Sequence, residues 1–243
     1  MDCIYCRRDS GPEPGIAHII PEALVRNNAT LPRGAVCDEC NHRLGQLDSA
    51  LVGHPAISFA IQFFGLPGKR RRPRERIGPV SRQTNGRHWQ LSSKATIEGI
   101  DSSTGGKRTA RFTIAPEPSF DLLLFRRALH HVALNYLAAI RGTSFVLESQ
   151  FDDVRRYVRR PHRGEAWYFG ERDGMGEHVP RSASLRLLRP APEYTIFQVF
   201  HREFLVDLYH RPGFTAVAES EGFAVIDPET ERIPPVSLRY VED

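Results

Sequence analysis

CIYC at residues 3–6, AHIIPEAL at 17–24 and CDECNHRLGQLD at 37–48 decide how the rest of this 243-residue chain is read. These pieces hold all four cysteines, Cys3, Cys6, Cys37 and Cys40, as two C-x2-C pairs. A short C-x2-C turn aims two sulfurs at one point, and two such knuckles complete a tetrahedron around zinc. Two disulfides are the competing arrangement. The N-terminus is polar, without the apolar core of a secretory leader, so the chain is expected in the cytoplasm, where thiols stay reduced and zinc is favoured. The loop between the knuckles is longer than in the commonest zinc ribbons. The knuckles are therefore expected to be scaffold, and the loop, with His18, the working part.

Leu44, Leu47 and Leu51 recur at steps of three and four, which is the apolar face of an amphipathic helix opening at Cys37 or Asp38. Asn41, Gly45 and Asp48 follow one another on a different face, so Asn41 falls in the first turn beside the second knuckle. Upstream, Ile16 to Ile20 and Gly34 to Val36 are short apolar pieces expected to pair as a hairpin, with Pro21 ending the first. The expected order is strand, strand, helix, with His18 on the first strand.

In order and identity, CIYC, HIIPEAL and VCDECN, followed by Gly45 and Asp48, resemble the HNH endonucleases, in the subgroup where two C-x2-C knuckles bracket a treble-clef, ββα-metal finger. The resemblance covers about the first fifty residues. It implies that His18 is a general base and that Asn41 is a ligand of a catalytic divalent ion, Mg2+ or another, while the four cysteines hold a structural zinc. Phosphodiester hydrolysis needs a water deprotonated near neutral pH, which a neutral imidazole performs. It also needs the phosphate charge neutralised, for which hard oxygen donors and Mg2+ are suited, whereas thiolates suit zinc.

One position departs from the family pattern. Where an acidic or histidine metal ligand commonly precedes the motif histidine, this chain has Ala17, whose methyl group coordinates nothing. Either another donor replaces it, with Glu22, Asp48, His42 and Glu13 as candidates in that order, or the metal site is impaired. The motif's central asparagine has only Asn27 or Asn28 to represent it, and the glycine pair after the HIIPEAL run is missing. Two functions of different class follow: a metal-dependent endonuclease acting on DNA, with RNA as the other polymer, or a catalytically degenerate nucleic-acid-binding protein on the same fold. A zinc-stapled protein-interaction domain is a third.

The remaining composition is that of a chain able to bury a sizeable core, with 40% hydrophobic residues and a net charge of +4. No apolar run is long enough for a membrane helix, and no membrane partner is expected. No glycine-rich nucleotide loop, nucleophile elbow, repeat or low-complexity tract occurs, and the oligomeric state is left open. Residues 1–68 are expected to form the finger and a following apolar helix carrying Ile57, Phe59, Ile61, Phe63 and Phe64. Residues 69–78 form a basic linker, in which Lys69, Arg70, Arg71, Arg72, Arg74 and Arg76 make either a solvated run or a phosphate-binding strap. Residues 79–243 are expected to be an α+β domain, with a long helix on a mainly antiparallel sheet, that binds a target or senses a signal. By analogy with fused nuclease fingers, defence or mobile-element duty is implied.

Within that domain Ser119 is expected to cap the helix FDLLLFRRALHHVALNYLAAIRG, and Gly142 to end it. Leu122, Phe125, Leu129, Val132, Tyr136 and Ile140 form its apolar stripe. Arg127, His131 and Asn135 line up four apart, either facing a ligand or forming a partly exposed row. FDDVRRYVRRP makes a shorter helix with a second basic patch at Arg155, Arg156, Arg159 and Arg160. AWYFG, LRLLRP, YTIFQVFHREFLVDLYH, FTAVAES and GFAVIDP are expected as strands.

Overall fold

The computed structural model describes residues 1–11, 14–25, 29–63, 80–82, 89–91, 95–102, 108–114, 120–161, 167–173, 183–188, 194–228 and 236–242. In chain order these form α1 (Asp38–Val52), α2 (Pro55–Phe63), β1 (Val80–Arg82), β2 (Trp89–Leu91), β3 (Ala95–Ser102), β4 (Arg108–Ile114), α3 (Leu122–Arg141), α4 (Thr143–Val146) and α5 (Asp152–Arg159). There follow β5 (Phe169–Asp173), β6 (Ala183–Leu187), β7 (Tyr194–Val199), β8 (Arg202–Asp207), α6 (Phe214–Ser220), β9 (Ala224–Ile226) and β10 (Val236–Glu242). Every strand pairing among the described residues is antiparallel, so the architecture there is mixed α/β on antiparallel sheets.

By contact the chain divides into two compact units, Met1–Leu51 with Asp121–Glu231, and Val52–Phe120 with Arg232–Asp243. The units interleave along the chain, whereas the division expected from composition is sequential. The basic run Lys69 to Arg76 and its linker, Glu13, Asn27, Asn28 and Phe64 lie outside the described residues.

In the first unit, strands pair in the order β6-β7-β8-β5-β9. β7 and β8 form the hairpin expected of YTIFQVF and EFLVDLYH, turning at Phe200 in the left-handed region (φ 53°). α3 lies on this sheet through Phe125, whose ring meets those of Phe169 and Phe204 edge-on at 5.7 and 5.4 Å. Its N-cap is Asp121, whose carboxylate accepts from the Leu124 amide at 2.9 Å; this corrects the expected Ser119 cap. Asp121 stands at the one place where a short oxygen side chain reaches the third helical amide. The stripe also needs correction at its C-terminal end. Leu122, Phe125, Leu129 and Val132 are buried, but Tyr136 is half-buried and Ile140 is 45% exposed. Arg126, Arg127, His130 and Asn135 are buried instead, because α3 is covered on several sides and not on one.

FTAVAES forms α6 and not a strand. Phe214, Val217 and Ala218 are spaced three and four apart, and they pack on Tyr194, Leu205 and Phe223 of the sheet side. Gly213, in the left-handed region at φ 96°, turns the chain into that helix, which a β-branched strand former would resist.

In the second unit β1 pairs with β2, and a three-stranded sheet runs β10-β4-β3, so β10 returns from the end of the chain to an edge of that sheet, against the central β4. Ile57, Phe59 and Ile61 of α2 are buried, as its apolar sequence implies.

Candidate functional site

The two knuckles converge. One ligand atom from each of Cys3, Cys6, Cys37 and Cys40 lies within 4.8 Å of the others, and none of the four is in a disulfide. Zn–S bonds at tetrahedral angles hold sulfurs about 3.8 Å apart. Cys6 and Cys37 Sγ stand 3.7 Å apart, close to that spacing, and the four thiols together are gathered tightly enough to hold a metal ion of zinc's size. Three of the four are buried. The Cys3 thiol is held at about 4, chiefly by the contact from Cys40, while the same contact pushes Cys40 upward. Four sulfurs this close cannot all ionise by themselves, and a divalent cation relieves that repulsion.

The second knuckle docks on the first through the Ile4 amide, which donates to the Ala35 carbonyl at 2.9 Å. Gly34 to Val36 is thereby committed to the first knuckle, so the expected hairpin between Ile16–Ile20 and Gly34–Val36 does not form. Residues 17–19 pair instead with 29–31. His18 and Thr30 make an antiparallel bridge, the Leu31 amide donates to Ala17 O (2.8 Å) and the Ile19 amide to Ala29 O (3.0 Å). The segment after the loop reaches the His18 strand first, and only its continuation is left to bring Cys37 over Cys6.

α1 fixes that strand from the other end. Its Asp38 carboxylate accepts from the Gly15 amide at 2.7 Å, and a Cβ on Gly15 would meet that oxygen at 2.9 Å, so a larger residue there would push the carboxylate aside. One turn on, the Asn41 carboxamide nitrogen donates to the Ile16 carbonyl at 3.4 Å. With the nitrogen so engaged, the carboxamide oxygen is the atom left to face a cation. Asn41 is half-buried and rests against the strand two residues from His18.

His18 is half-buried, and its Nδ1 is buried with no hydrogen-bond partner among the described residues. Its backbone is held from an unexpected quarter. Asn135 of α3, 1% exposed, donates from Nδ2 to the His18 carbonyl at 3.1 Å and accepts at Oδ1 from the Tyr5 hydroxyl at 2.7 Å. Tyr5, in the first knuckle, also reaches the His131 carbonyl at 3.3 Å. Burial, then the charge of Arg127, holds His131 down at about 4, so its ring is neutral and Nε2 can accept from Asn135 Nδ2 at 3.3 Å. The Tyr5 phenol is itself pushed well above its usual range by burial and by the nearby acidic groups, Asp48 among them.

In the row Arg127, His131 and Asn135, the first and last are buried and His131 is half-buried, and their polar groups bond within the protein. Arg127 donates to the Val158 carbonyl at 2.7 Å, and Asn135 ties helix, knuckle and histidine strand together. A four-residue polar spacing on an otherwise apolar helix marked these residues in the sequence; nothing there could name Tyr5 and His18 as their partners.

Ala17 is 5% exposed and packed inward. Of the proposed substitutes, Glu22 and His42 are exposed and Asp48 is half-buried. Among the described residues the four cysteines are the one group of three or more His, Cys, Asp or Glu ligand atoms. No helix among the described residues is long and apolar enough to cross a membrane. No curated protein and no solved structure matches the chain. Residues 3–55, the stretch that contains the cysteines, His18 and Asn41, match the family model described as HNH endonuclease, so this part of the chain is similar to that family.

Proposed function

We propose that the chain is a metal-dependent endonuclease that hydrolyses phosphodiester bonds in DNA through a zinc-stapled ββα-metal finger of treble-clef type. HNH domains act on nucleic acids, and the observation that carries the fuller proposal is local. A helix turn clamped by the knuckles sets Asn41 against the strand of His18, two residues away. Buried polar atoms without a partner are uncommon, and the orphaned His18 Nδ1 is suited to a water or a substrate group.

In this mechanism a neutral His18 takes the proton from the attacking water. Asn41, with the carboxylate of Asp48 or Glu22, would hold the divalent ion, which when bound neutralises charge on the scissile phosphate. Cys3, Cys6, Cys37 and Cys40 hold zinc and take no part in the chemistry. The Lys69 to Arg74 run would add sequence-independent contacts to the backbone, and the residues beyond 79 would bind the target or sense a signal.

His18→Ala is expected to abolish nicking of supercoiled plasmid in Mg2+, Mn2+ or Ni2+ while the zinc content, measured by atomic absorption, stays at the wild-type value. Cleavage that survives in this variant removes His18 as the base. The inward-packed Ala17 favours a second reading, a degenerate nuclease that binds without cutting. Salt-sensitive DNA binding by the wild type, with no turnover in any of the three ions, would select it.

A further inference from the structure

A cleft of about 210 Å3 beside the first knuckle is lined by Tyr5, Arg7, Arg155, Arg156, Arg159 and Arg160, with Asp152 and Cys6 completing it. α5 supplies Arg155, Arg156 and Arg159, and Arg160 is its C-cap, because Val154, Tyr157 and Val158 commit the helix's other face to the interior. Arg7 comes from the knuckle, in the left-handed region at φ 59°.

The arginines divide into two sets. Arg7 and Arg155 are framework: Arg7 donates to the Leu147 carbonyl and sits 3.1 Å from Asp152, while Arg155, 3% exposed, is held by the Val146 and Glu148 carbonyls and by Asp152. Arg156 pairs with Asp153 at 2.8 Å. Arg159 and Arg160 have no carboxylate partner among the described residues, and Arg159 Nε is buried without any hydrogen-bond acceptor. A buried guanidinium donor left unpaired is costly unless an anion meets it. The dipole of α5 favours cations at its C-terminal end, but it does not account for Arg7, which converges on the cleft from a different element.

We propose that this cleft is a phosphodiester subsite, in which Arg159 and Arg160 seat one backbone phosphate of a nucleic acid on a framework made by Arg7, Arg155 and Asp152. The guanidinium fork matches phosphate geometry and is weakly hydrated, so a phosphate replaces water there readily. The subsite belongs to the same body as the histidine strand. Tyr5 lines the cleft, and its hydroxyl reaches Asn135, which holds the His18 carbonyl. A strand seated here is thereby registered against the finger. The contacts are to backbone and add no sequence discrimination. The proposal rests on the nucleic-acid reading above and deepens it.

The test is fluorescence anisotropy on a labelled DNA duplex across a salt series, without added divalent ions, comparing the full chain with an Arg159→Gln/Arg160→Gln variant. Arg141→Gln, at an exposed position away from the cleft, serves as the control, and circular dichroism checks folding. The double variant is expected to bind at least about tenfold more weakly at low salt, and the slope of log K against log salt should fall by about 1 to 2, while the control keeps the wild-type slope. Wild-type affinity and slope in the double variant would overturn the subsite alone. Failure of the wild type to bind DNA at low salt would overturn the subsite and the nucleic-acid reading together. If thymidine 5′-monophosphate binds the wild type and not the double variant, while both bind DNA equally, the cleft takes a free nucleotide and the strand-seating role is overturned. Cleavage surviving in His18→Ala leaves all of these outcomes unaffected.

Discussion

From a position 1% exposed, Asn135 makes polar contacts with three groups, the Tyr5 hydroxyl, the His18 carbonyl and the His131 ring one turn back on its own helix. Its two ends are chemically distinct, since the hydroxyl requires an acceptor and the carbonyl a donor, so neither Asp nor Leu reproduces both. Asn135→Leu keeps the volume but leaves the His18 carbonyl without this donor. Each buried group so stranded costs about 1–3 kcal/mol. The variant is expected to lose roughly 2 kcal/mol in urea unfolding. If His18 is the base, it should also lower kcat more than KM, because the proton acceptor shifts while the substrate contacts remain. Unchanged stability and unchanged kcat would show that the clamp does not hold the strand.

At the scale of the element, α3 is covered on several sides, and its buried polar residues carry a pH signature. His130, 0% exposed, stands edge-on to Tyr157 and Trp167 and contacts the Arg126 carbonyl through Nδ1 at 2.8 Å. A carbonyl can only accept, so Nδ1 carries the proton of the neutral ring. Burial holds this histidine down at about 4, against 6.5 when unfolded. The unfolded chain therefore takes up a proton that the folded chain refuses. Stability from this group is full above about pH 6.5, falls as the pH drops towards 4, and is then lost, for a total of roughly 3 kcal/mol. Between pH 7.5 and 5.0 the wild type should lose on the order of 2 kcal/mol more than His130→Gln in urea unfolding. Equal losses in the two proteins would contradict the buried, neutral state.

For the whole molecule, the family match ends at residue 55, yet the compact unit that contains the finger also takes in Asp121–Glu231. Tyr5, Arg7 and the His18 carbonyl are all held by groups from beyond residue 130. A fragment of residues 1–55 should therefore bind zinc through its knuckles, with one equivalent by atomic absorption, but lack the cooperative thermal transition of the full chain. A fragment that melts as sharply as the full protein would show that the long helix is dispensable to the finger.

Several parts of this arrangement were legible in the sequence because they depend on local spacing. The C-x2-C pairs, the Leu44–Leu47–Leu51 face, α3 ended by Gly142, and the β7–β8 hairpin each follow from chemistry within a few residues. FTAVAES was open to misreading, since a seven-residue apolar run has too few turns to show its period and only packing against Tyr194 and Phe223 makes it helical. By itself, the sequence determined the cysteine centre and the placing of Asn41 in the first turn of the helix that leaves the second knuckle, because metal spacing and helical period are short-range constraints. Only the tertiary structure decided that residues 29–31 pair with the His18 strand, that Asn135 grips its carbonyl, and that Arg7 joins the arginines of α5. Those partners stand about 10 to 150 residues apart along the chain, and no local rule couples positions at such distances.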